Sequence, residues 1–146
     1  MKSIKILVDT NIVLDYIIDR KWSNQAVLLF EDLIPNKKVI AYITASSVTD
    51  IYYLVSKKIG KEQAQKIIET VILNRNIFEI IDTSRSDIEQ AVKLKKIGIK
   101  DFEDGVQIST ARREKLQYIV TRNTKDFEKS PIKTLTPSEF YKKFTE

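Results

Sequence analysis

With 146 residues, 42% of them hydrophobic and 31% charged, the chain has the size and balance of one globular domain, expected to span residues 1–146. It contains no histidine and no cysteine, which removes zinc sites, Ser-His-Asp triads, cysteine nucleophiles and histidine general bases, and its three glycines, Gly60, Gly98 and Gly105, stand too far apart to build a phosphate-binding glycine loop. Carboxylate chemistry remains, on a chain whose net charge of +5 biases it modestly towards polyanionic partners.

Taken in chain order, short β-branched runs alternate with longer stretches of helical period, and no linker, repeat or low-complexity tract interrupts them. Residues 4–8 predict the first strand; the run is too short for a signal peptide, and no stretch approaches the roughly 20 apolar residues of a membrane span, so a cytoplasmic protein is expected. Helices follow at 11–19 and 23–33, the second with Ser23 as an N-cap. A second strand at 39–43 precedes a helix at 46–58, whose Val48, Ile51, Tyr52 and Val55 form one apolar stripe. The next helix, 61–73, carries its own stripe of Ala64, Ile67, Ile68, Val71 and Ile72. Strands at 78–81, 118–121 and 132–135 alternate with helices at 86–96, 102–115 and 138–144, Pro137 suiting the first turn of the last. Most strands are continuously apolar, which predicts an α/β fold with a mostly parallel sheet covered on both faces.

In such a sheet, ligands bind beyond the carboxyl ends of the strands where strand order reverses. Those ends are polar here. The first strand runs into Asp9-Thr10-Asn11, the second leads to a helix with Ser47 and Asp50, and the third ends at Asp82. The helix after Gly98 opens with Asp101-Phe102-Glu103-Asp104, and the fourth strand ends in Thr121-Arg122-Asn123-Thr124-Lys125-Asp126. Each acid also has an ordinary structural explanation. Asp9 and Asp101 suit N-caps, Glu103 and Asp104 suit the positive end of a helix dipole, Asp50 a solvated helix position, and Asp82 and Asp126 turns or caps. Jointly, however, a cluster of ionised carboxylates repels itself unless cations neutralise it, and carboxylates are the hard oxygen ligands that magnesium or manganese prefers.

With these blocks in this order, Leu7-Val8-Asp9-Thr10-Asn11, Thr44 to Ile51, Asp101 to Gln107 and Val120 to Phe127, the chain resembles a PIN domain. The resemblance implies a Rossmann-like three-layer sandwich and a Mg²⁺- or Mn²⁺-dependent ribonuclease of VapC-like toxin type, with a small antitoxin protein as partner, a homodimeric state and no membrane association. It implies Asp9 and Asp104 as metal ligands, Asp50 as a catalytic acid where the family more often has Glu, and Asp101 as an extra acid. Asn123 and Asp126 compete for the fourth acidic position. Asn11 and Thr121 would support the ligands by hydrogen bonds, while Ser47 or Arg122 would touch substrate phosphates. Cleavage would leave a 5′-phosphate and a 3′-hydroxyl.

Lys93, Lys95, Lys96 and Lys100 before the acidic motif, and Arg112, Arg113 and Lys115 after it, are candidates to hold an RNA backbone or to form a solvated face. Tyr16, Trp22, Tyr42, Tyr52 and Tyr53 are candidate base-stacking aromatics that the sequence does not separate from core residues. A receiver domain or a haloacid-dehalogenase-type phosphohydrolase would need acids where the chain has Thr10 and Asn11. A PIN-like module that binds RNA or protein without cutting stays open as the alternative.

Overall fold

A computed structural model describes residues 2–18 and 23–145. Five strands, β1 (Ile4–Val8), β2 (Val39–Thr44), β3 (Phe78–Ile81), β4 (Tyr118–Val120) and β5 (Lys133–Leu135), form one sheet in the order β3-β2-β1-β4-β5. Every adjacent pair is parallel; Ile6 of β1, for example, faces Ala41 of β2 and Tyr118 of β4. The expected parallel α/β sandwich is therefore present.

Its strands are continuously apolar because both faces are covered and side chains alternate between them. Ile6 and Val8 enter a core with Ala41, Ile43 and Val120, closed by α1 (Thr10–Ile17), α2 (Ser23–Leu28), α3 (Ala45–Ile59), α4 (Lys61–Ile67) and α7 (Pro137–Thr145). Leu7, between them, points the other way and joins Ile81, Ile119, Ile108 and Phe127 under α5 (Arg85–Leu94) and α6 (Phe102–Arg113).

Helix ends differ from the expected ones in instructive ways. Two expected helices close in wide π turns, Leu29–Leu33 after α2 and Ile68–Ile72 after α4. Ser23 is already the first helical residue of α2, while Asp19 and Trp22 lie outside the described residues. α5 begins one residue before the expected start, because Ser84 forms a capping box with Asp87: Ser84 Oγ accepts from Asp87 N at 3.2 Å, and Asp87 Oδ2 accepts from Ser84 N at 2.9 Å. Asp82 makes no such cap; its carbonyl oxygen accepts from Arg113. Arg113 also grips the buried Asp87 through Nε and Nη2, so this arginine ties α6 to α5 instead of facing a ligand. The two helices approach closely at Gly105, where an added Cβ would stand 3.2 Å from Ala91 Cβ and 3.3 Å from its carbonyl oxygen. The stripe expected on helix 61–73, which runs from α4 into the π turn that follows it, is mainly core: Ala64 and Ile72 are buried and Ile67, Ile68 and Val71 pack against the same cluster.

Candidate active site

Strand order reverses between β1 and β4, and the residues that leave these two strands meet there. Asp9 directly follows β1 and stands at the N-cap position of α1, yet its side chain makes no cap bond. Its carboxylate instead accepts hydrogen bonds from Thr121 Oγ1 beyond β4 (2.8 Å) and from Gln107 Nε2 of α6 (3.3 Å). The side chain is buried, which pushes its pKa above the ordinary carboxylate value against the pull of those two donors. Thr121 is held in turn: its Oγ1 accepts from the backbone N–H of Asn123 at 3.1 Å.

Above Asp9 lies an open cleft of about 390 Å³, lined by Asp9, Thr10, Asn11, Asp50, Tyr53, Leu54, Asp101, Glu103, Asp104, Asn123 and Asp126. Six of these are acids, and no described lysine or arginine lines the cleft. α3 delivers Asp50, because Thr44 caps that helix by accepting from Ser47 N at 3.3 Å and so fixes its start at the end of β2. α6 delivers two acids in its first turn, Glu103 and Asp104, and a third, Asp101, at its N-cap. Asp101 caps the helix, Oδ1 accepting from Asp104 N at 2.9 Å, so it lines the cleft and holds the helix start at once. Crowding has an electrostatic result: burial, then the charges of Asp101, Asp9, Asp126 and Glu103, push the Asp104 carboxyl up to about 7. Glu103 is raised as well, by burial and then by Asp50, Asp9 and Asp101.

Of the residues named from sequence, the cleft gathers Asp9, Asn11, Asp50, Asp101, Asp104, Asn123 and Asp126, with Thr121 beneath Asp9. It does not gather Ser47 and Arg122. Ser47 is buried behind the cleft, accepting from Thr10 Oγ1 at 2.9 Å and lying 2.7 Å from Thr44 Oγ1. Arg122 turns inward to Asp15, Nε to Oδ2 at 2.7 Å, because that acid is fully buried in α1 and needs a counter-charge. Asp15 and Gln107 support the site without belonging to any motif that marks them in the sequence. The signals were a single acid inside the apolar run from Ile12 to Ile18, and a polar residue three positions after Asp104 on the buried side of α6. Glu103, whose position the helix dipole alone explains in the sequence, also lines the cleft.

The donor set of the cleft is that of a hard divalent cation, carboxylates with amide oxygens and no competing ammonium or guanidinium. As the side chains are placed, no three acidic groups among the described residues stand close enough to enclose an ion. Asp50, Asp101, Glu103 and Asp126 are exposed at the rim, Asp101 held there by its cap bond to Asp104 N, whereas Asp9 is buried and fixed by Thr121 and Gln107.

A reversed parallel sheet with this acid cluster at its switch point is the architecture of a PIN nuclease fold, and the chain belongs to the PIN domain family, whose sequence profile matches residues 5–125. It is 35% identical, over 147 aligned residues, to Ribonuclease VapC1 of Aquifex aeolicus (strain VF5), an alignment covering 96% of this chain and 95% of that protein. Among solved structures, a toxin-antitoxin complex from Klebsiella pneumoniae is similar with a TM-score of 0.69 and 25% identity over 92% of this chain and 98% of that one. FitAcB from Neisseria gonorrhoeae shares the fold at a TM-score of 0.71 and 20% identity, covering 90% and 97% of the two chains.

Proposed function

We propose that this chain is a metal-dependent endoribonuclease and the toxin of a toxin-antitoxin pair. The observation that carries the reading is the convergence of Asp9, Asp50, Asp104 and Asp126, from four separate elements, on one cleft that no described lysine or arginine lines and in which Asp104 is pushed up to about 7. The 35% identical Ribonuclease VapC1 supports the activity, and the complexes among the structural neighbours, FitAcB and the Klebsiella pair, support a small antitoxin protein as partner. A homodimer accords with the family. No helix among the described residues is long and apolar enough to cross a membrane.

Each side chain has a part in this reading. Asp9, immobilised by Thr121 and Gln107, is the fixed ligand; Asp104 is the second, carried on the first turn of α6; Asp101 and Asp126 complete the ligand set from the rim. Asp50 reaches the reacting phosphate from α3, one methylene shorter than a glutamate would be. Asn11 and Asn123 present amides to the same space. Mg²⁺ or Mn²⁺, when bound, would supply the charge that offsets phosphate and carboxylate together and would activate a water.

The test is cleavage of structured and single-stranded RNAs by the purified protein with Mg²⁺, with Mn²⁺ and with EDTA, alongside Asp9→Asn and Asp104→Asn. Both variants should lose metal-dependent cleavage while remaining folded. Wild-type rates in both variants would refute the nuclease reading, and unfolding of both would restore the purely structural account of these acids.

A further inference from the structure

We propose that the exposed face of α3 is the nucleotide-docking strip of the cleft, with Tyr53 as the platform on which one RNA base stacks and Lys57 and Lys58 as the cations that hold the adjoining phosphate. This rests on the ribonuclease reading of the same site. Along α3, Asp50, Tyr53, Leu54, Lys57 and Lys58 recur at i, i+3, i+4, i+7 and i+8 and so share one helical face, while Ser47, Ile51 and Val55 occupy the buried one. An acid, a ring and two cations thus follow one another, and Lys57 stands about 10 Å along the axis from Asp50.

Tyr53 is 55% exposed yet lines the acidic cleft, and Lys57 Nζ sits 4.4 Å from its ring centroid. Beyond Tyr53, Leu54 and Asn11 are shared with an adjoining recess of about 440 Å³ that carries Lys57 and Lys58. No described lysine or arginine lines the acidic cleft, so the phosphates flanking the reacting one need cations beside it, and an aromatic face is the sequence-tolerant way to hold a base. The other tyrosine candidates are spent elsewhere: Tyr16 packs edge-on against Phe30, and Tyr42 and Tyr52 are half-buried against the core. On the far side, a recess of about 560 Å³ with Lys100, Lys125 and Lys129 shares Asp101, Asp104 and Asp126 with the cleft, so a strand crossing the acids meets lysines at both ends, and among the described residues that line the cleft and its two recesses the one ring is Tyr53.

The experiment titrates wild type, Tyr53→Ala, Tyr53→Phe and Lys57→Ala, in Ca²⁺, against a single-stranded RNA of about ten nucleotides carrying 2-aminopurine, whose fluorescence reads stacking directly. Wild type and Tyr53→Phe should quench the probe. Tyr53→Ala should lose the quench and bind about tenfold more weakly, with an unchanged melting curve since the ring is exposed. Lys57→Ala should keep the quench and flatten the dependence of log affinity on log salt by about 0.7. In cleavage assays with Mn²⁺, Tyr53→Ala should raise KM about tenfold and leave kcat nearly unchanged. The platform is refuted if Tyr53→Ala quenches and binds like wild type, or if wild type itself does neither. If wild type cuts no RNA but the Tyr53-dependent quench is present, the platform stands and the ribonuclease reading falls.

Discussion

Asp104→Asn isolates the electrostatic cost of the cleft. Moving the carboxyl from its ordinary 3.8 to about 7 penalises the ionised folded state by about 4 kcal/mol, which solvent screening at a half-buried side chain reduces to about 1–2 kcal/mol. The sign follows from proton counting. Between pH 4 and 7 the folded state keeps a proton that the unfolded chain releases, so wild-type stability falls as pH rises through that window and is level above it. Asparagine keeps the shape and never ionises. It forfeits the favourable contact of a carboxylate with the start of α6, about 0.3–1 kcal/mol, which leaves a net gain near 1 kcal/mol at pH 8, or a Tm higher by about 2–4 °C. Melting curves in EDTA from pH 4 to 8 should therefore show a gap that opens with pH, while Asp9, raised by burial against its hydrogen-bond donors, and Glu103, raised by burial and then by neighbouring acids, leave some slope in the variant. Millimolar Mn²⁺ should invert the order, stabilising wild type more. A gap of equal size at pH 4 and pH 8 would show that Asp104 does not belong to a repelling cluster.

Arg122→Ala should cost about 3 kcal/mol in urea unfolding, because it strips the fully buried Asp15 of this counter-charge; Asp15→Asn added to it should recover part of the loss, and a cost below 1 kcal/mol would deny the pair its structural role. Gly105→Val should lower stability by about 1–3 kcal/mol through overpacking against Ala91 and reduce cleavage by displacing Asp104, with Ala91→Gly restoring both in part; unchanged melting would contradict the close approach of α5 and α6. Asp126→Ala and Asn123→Ala separate the fourth acidic position: the residue that serves it should lower cleavage by orders of magnitude, the other acting on local turn structure. Near-wild-type rates in both would remove the two from the site.

The sheet was legible because its strands are buried on both faces, and 4–8 and 78–81 came out to the residue. The acids at strand and helix ends were legible for a related reason: in a parallel sheet those ends face one way, so Asp9, Asp101 and Asp104 could be assembled before any contact was known. What escaped was pairwise and long-range. Nothing local distinguishes Arg122, committed to Asp15, from an arginine free to meet a phosphate, since the two partners are 107 positions apart. Glu103 was hidden by a sufficient local explanation, the helix dipole. The π turns after α2 and α4 leave the apolar stripe intact while shifting hydrogen bonds by one residue, so periodicity does not register them.

The strand order also dictates when the site can exist. The bond that holds Asp9 comes from Thr121, 112 positions later, and β4 must slot in beside β1 after β2 and β3 have already been laid down on its other edge. A chain emerging from the ribosome therefore carries Asp9 and Asp50 for most of its synthesis with no hydroxyl to orient the one and no Arg122 to neutralise Asp15 in the helix between them. Non-local pairing of this kind closes late and cooperatively. A chain without β4 therefore has no Thr121 to orient Asp9, so the site is complete only once β4 stands beside β1.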